Sequence, residues 1–131
     1  MGGGSSTLND YDPYAHAEML GIRVIHRRLT TGTGLWVPDH RVIFVQDRLR
    51  RVHDRSTLAH EIGHAALGHR DDRPKHEVQA DRFAAERMID RERLVDLMQW
   101  SPDPSRWATE MDVSTKLIRV YWNLHRLDLS A

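Results

Sequence analysis

Hydrophobic and polar positions divide the chain into one short helix, a few strands and a longer run of helices. Residues 1–11, MGGGSSTLNDY, are polar and rich in Gly and Ser, and read as a disordered lead; residues 12–131 read as one domain. Asp12-Pro13 opens the first helix, with Asp as N-cap and Pro at the first helical position, and Gly21 closes it. Ile22, Val24 and Ile25 give a β-rich run to about Arg28. After the Thr30–Gly34 turn, Leu35-Trp36-Val37 and Val42-Ile43-Phe44-Val45 flank Pro38–Arg41 as a hairpin. The fold expected is α+β: a small antiparallel sheet of about three strands packed on a mainly helical domain.

The remainder is helical. Ser56 to Leu67 reads as a helix in the core, with Ser56 as N-cap and Gly68 just past the end. A second helix spans roughly Lys75 to Met88, and a third runs from Asp90 to Gln99 with Leu94, Val95, Leu97 and Met98 apolar. Ser101-Pro102-Asp103-Pro104 breaks it and restarts a short helix through Trp107. Ser114 caps the last helix, with Val113 stapled to Ile118 and Leu117, Ile118, Tyr121, Leu124 and Leu127 as its core face. Trp100, Trp107 and Trp122 read as packing aromatics. The helices after residue 90 are expected to form the far wall of a cleft. Asp112-Val113-Ser114 also has the look of a helix-turn-helix start, but the neutral chain argues against DNA reading.

Composition narrows the function. Nineteen basic and nineteen acidic residues cancel, so no bulk charge favours nucleic acid or a membrane surface as partner. No apolar run approaches a membrane span, and a cytoplasmic, monomeric protein is the expectation. The absence of cysteine excludes disulfides and thiolate metal sites, so any metal must be held by His and carboxylates. Between Arg23 and Arg55 eight arginines face three aspartates; this is a solvated rim or, functionally, a basic lip for an acidic partner segment.

The chemistry concentrates in His60-Glu61-Ile62-Gly63-His64. Two histidines four apart lie on one helix face, where both imidazoles can reach one ion, and Glu61 is rotated aside to reach water without ligating. Glu77 and Asp81 share a face of the next helix, beside the small residues Ala80 and Ala84 that permit close approach to the first. Glu77 is the natural third metal ligand, and Asp81 is placed to accept the N–H from the far ring nitrogen of a ligand histidine. His69 misses the spacing of an elongated zinc motif by one residue and reads as a helix-end or rim histidine.

In its helix, small sheet, HExxH helix and following E-x-x-A-D-x-F-A-A, the chain resembles the ImmA/IrrE-type metallopeptidases, relatives of the thermolysin-like zincins. The match runs through His60, Glu61, His64, Glu77, Ala80, Asp81, Phe83 and Ala84, and its layout extends from about Asp12 to the C-terminus. The resemblance implies cleavage of a helix-turn-helix repressor, in phage, mobile-element or stress-response settings, by a stand-alone protease. One Zn2+ would be held by His60, His64 and Glu77, although the same donors admit manganese or iron, with Glu61 as general base. Val42, Ile43, Phe44 and Val45 are expected to form an edge strand that holds the substrate. His76, Tyr121, His125 and nearby arginines are candidate oxyanion donors. Two rivals are a metal-containing regulator that sequesters a repressor without cutting it, and a zinc hydrolase acting on non-peptide bonds. Intact Glu61 argues against the first, since a pure binder has no use for a base.

Overall fold

The computed structural model describes residues 11–129, apart from the side chains of residues 127 and 128. The expected lead and the core role expected of Leu127 thus lie outside the described residues, except for Tyr11. Tyr11 packs against the helical core and its hydroxyl bonds His16 Nδ1 at 2.8 Å. The chain runs α1 (Pro13–Met19), β1 (Arg23–Arg27), β2 (Gly34–Val37), a 3-10 turn (Pro38–His40), β3 (Val42–Gln46), α2 (Arg51–Ala66), α3 (Pro74–Met88), α4 (Arg91–Trp100), α5 (Pro104–Met111) and α6 (Thr115–Leu129). This is an α+β fold, with a three-stranded sheet on a mainly helical body.

Local signals place α1: Asp12 Oδ1 accepts the Tyr14 N–H at 2.9 Å, Pro13 stands at the first helical position, and Gly21 leaves the helix at φ 70°. The sheet departs from expectation. β2 and β3 pair antiparallel, with Val37 opposite Val42, but β1 lies parallel to β3, so the sheet is mixed and ordered β1-β3-β2. The chain crosses from β1 to the far edge, makes β2, and returns between the two. Val42, Ile43 and Val45 are buried, and an unbroken apolar run of this kind marks a strand covered on both faces rather than an edge. Val42–Val45 therefore cannot receive an added strand; both flanks are already paired.

α2 begins at Arg51, five residues ahead of the expected cap. Ser56 is buried inside it, and its Oγ accepts the Ser114 N–H at 3.1 Å, tying α2 to the start of α6. Leu58 and Ile62 join Ile43, Val45, Ile22 and Ala17 in a sheet-side core, while Ala59 belongs to the helical core of α3–α6. Gly63 makes the α2–α3 approach possible: a Cβ there would lie 3.1 Å from the Cα and carbonyl oxygen of Ala80. Asp90, Asp103 and Ser114 cap α4, α5 and α6 by accepting the N–H of Arg93, Ser105 and Leu117. Trp107 is buried as expected, but Trp100 is 86% exposed and Leu124 is exposed, so neither is a core residue.

Candidate metal centre

α2 and α3 bring together His60, His64 and Glu77, whose potential ligand atoms all lie within 4.8 Å of one another. His60 Nε2 is 3.3 Å from Glu77 Oε1, and His64 Nε2 is 2.6 Å from Glu77 Oε2. The other nitrogen of each imidazole is engaged elsewhere. His60 Nδ1–H donates to Asp81 Oδ1 at 2.8 Å, a direction fixed because a carboxylate only accepts. His64 Nδ1 faces His69 Nδ1 at 2.9 Å. Both Nε2 atoms face Glu77. Two imidazoles and one carboxylate suit a borderline divalent cation and leave a coordination position for water. The residues fit a metal ion.

Electrostatics separates the groups. Burial would lower the His60 pKa, but the Asp81 hydrogen bond and surrounding carboxylates outweigh it, and the net shift is upward. His64 is pushed down, first by burial and then by the neighbouring His60. Burial also works against Asp81 ionisation, yet its bond to His60 and the Lys116 ammonium, 3.5 Å from Oδ2, hold it below the ordinary range.

Glu61 is buried outside the ligand triangle, with its carboxylate against β2. It accepts the Trp36 backbone N–H, and a Cβ on Gly34 would fall 2.8 Å from Glu61 Cγ and 3.0 Å from Oε2. Gly34 thus gives the carboxylate its space. Burial pushes the Glu61 pKa up to about 7, and a cation at the neighbouring ligands would oppose that push.

These groups floor an open cleft of about 1110 Å³. Residues 29–36 form one wall and Ser114–Leu117, the start of α6, lie on another, so of the C-terminal helices α6 supplies cleft lining. None of the eight arginines between 23 and 55 lines the cleft; Arg70 and Lys116 do. The expected oxyanion donors are placed elsewhere. Tyr121 belongs to the helical core, His125 pairs with Glu86, and His76 bonds Asp71 and stacks on His69; none of the three lines the cleft.

Sequence reasoning brought His60, His64, Glu77, Asp81 and Glu61 to one place, and it kept His69 out of the ligand triangle. It missed that His69 is buried and hydrogen-bonded to His64. The signal was present: a Gly just past a helix end returns the following residue onto the last turn. Comparison with known families matches the chain to the model of the IrrE N-terminal-like domain, a peptidase family, over residues 17–123. No curated protein matches the chain.

Proposed function

The chain belongs to the IrrE N-terminal-like family of peptidases, and on that premise we propose that it is a zinc-dependent endopeptidase acting on a helix-turn-helix repressor. The observation that carries this reading is the convergence of Glu77 on His60 and His64 while Glu61 stays outside the triangle beside the same cleft. His60, His64 and Glu77 would hold the ion, and Asp81 orients His60. When bound, the ion supplies Lewis acidity, acidifying a water and polarising a peptide carbonyl.

Glu61 is the general base. The Trp36 N–H and the packing against Gly34 hold its carboxylate beside the cleft, within reach of a water there. It takes a proton from the attacking water and returns it to the leaving amine. β2 replaces β3 as the strand that receives the substrate. It lies at the end of the sheet order, Leu35 on it is 52% exposed, and Leu35 and Trp36 line the cleft. An extended segment added there would pass over Glu61. The repressor as substrate rests on the family resemblance.

The test is incubation of the zinc-loaded protein with helix-turn-helix repressors, followed by mass spectrometry. Fragments that vanish on chelation are expected. An intact partner that stays bound with or without Glu61 would overturn hydrolysis in favour of sequestration.

A further inference from the structure

α2 ends in a turn that lays one histidine on another. Gly68 takes φ 73°, its N–H reaches Ala65 O at 3.2 Å, and the His69 N–H reaches His64 O at 2.9 Å. This pair of bonds is the Schellman ending, which brings the second residue past the cap against the third residue before it. Here those two residues are His69 and His64, with ring centroids 5.1 Å apart and Nδ1 atoms 2.9 Å apart.

Two ring nitrogens at that separation share one proton, and the outer contacts decide which of them carries it. If His64 offers its Nε2 lone pair to a metal, its proton sits on Nδ1 and it donates. His69 must then accept at Nδ1, which places its own proton on Nε2. That nitrogen lies 2.7 Å from Gln79 Oε1, an atom that only accepts. Each link runs in one direction: His64 to His69 to Gln79. His76 backs the array, stacked on His69 at 3.9 Å with the ring planes 8° apart and anchored through Nδ1 to Asp71 Oδ1 at 2.7 Å.

We propose that His69 is a positioning residue of the metal centre, holding His64 as the Nδ1–H tautomer with Nε2 aimed at the ion, and that Gln79 holds His69. The inference rests on the reading of His60, His64 and Glu77 as a metal site. His69 is the uncharged counterpart of Asp81: each fixes one ligand imidazole, the carboxylate with added charge and the imidazole without it.

The test measures zinc affinity by chelator competition in the parent, His69→Leu and His69→Asn, with the melt of each metal-free protein as a fold check. His69→Leu keeps bulk but removes the acceptor, and should weaken zinc binding by about 10–100-fold. His69→Asn places an amide oxygen near the lost Nδ1 and should restore most of that loss. A packing role predicts the reverse order, with Leu the better replacement, and that order would overturn the proposal. Should His69→Leu fail to fold, ¹⁵N NMR of the zinc-loaded parent decides: His64 is expected as Nδ1–H and His69 as Nε2–H, and a His69 proton on Nδ1 overturns the proposal. A parent that binds no zinc overturns the metal reading and this inference together. A parent that binds zinc no better than His69→Leu overturns this inference alone.

Discussion

The α2–α3 seam and the α4–α6 body are built on opposite principles. At the seam Gly63 lies against Ala80 and Phe83, and polar side chains pair across it, His60 with Asp81 and with Glu77. In the body Leu94, Trp107, Val113, Leu117 and Ile118 fill a buried apolar cluster. Apolar burial contributes about 25 cal/mol per Å², so the body concentrates stability. The seam gives up bulk to let two backbones approach, and what it gains is the convergence of side chains from two helices on one point. Damage to each region should therefore read out differently.

The largest expected effect is at the seam. Glu61→Gln should lower cleavage by about 10²–10⁴-fold, the range of a lost general base, while zinc affinity and melting temperature stay near the parent's. A comparable loss of zinc would show that Glu61 belongs to the ligand set, and the separation of base from ligands would collapse.

The body should give the mirror image. Leu94, fully buried, should cost about 2–5 kcal/mol when cut to Ala, measured by urea unfolding of the metal-free protein. Zinc affinity well below the melting temperature should be retained. If affinity falls with stability, the two regions are not separable.

Gly63→Ala tests the close approach itself. The added methyl would meet Ala80 backbone atoms at 3.1 Å. Overpacking costs about 1–3 kcal/mol and helix propensity returns about 1, so stability should change little. Zinc affinity should fall, because α3 carries Glu77 and must recede. Parent-like affinity would mean that the seam tolerates separation.

The smallest effect concerns the flanks. Tyr11, Tyr14 and Tyr121 all have hydroxyl pKa values pushed up, chiefly by burial, Tyr11 to about 12. A phenol raised in the native state stays neutral where the unfolded chain, with a pKa of about 10, ionises. This stability is fully present below pH ~10 and is lost as pH rises through the native values. Native tyrosinate absorbance should accordingly lag that of the urea-unfolded chain, and coincident titration curves would contradict the burial.

The seam was more legible in the sequence than the sheet. His60, Glu61 and His64 lie within one helical turn and Glu77 and Asp81 within another, so spacing alone sets their faces. Only the docking of α3 on α2 had to be inferred, and Gly63 and Ala80 allow it. The position of β3 was not legible in the same way. A local hairpin pattern sets the β2–β3 pairing but says nothing of β1 joining the other flank. Ser56 misled for a related reason: its hydroxyl serves Ser114, 58 residues away, and a distant partner overrode a good local cap. His69 needed a three-dimensional reading of the turn at Gly68.

Chemistry at the α2–α3 seam depends most directly on the ion. Crystals of the zinc-loaded protein, measured on both sides of the zinc absorption edge, should show one anomalous peak at ~2.0–2.2 Å from His60 Nε2, His64 Nε2 and a Glu77 carboxylate oxygen. Glu61 should lie outside that coordination shell. A peak elsewhere, or a Glu77 carboxylate turned away from the two histidines, would contradict the account.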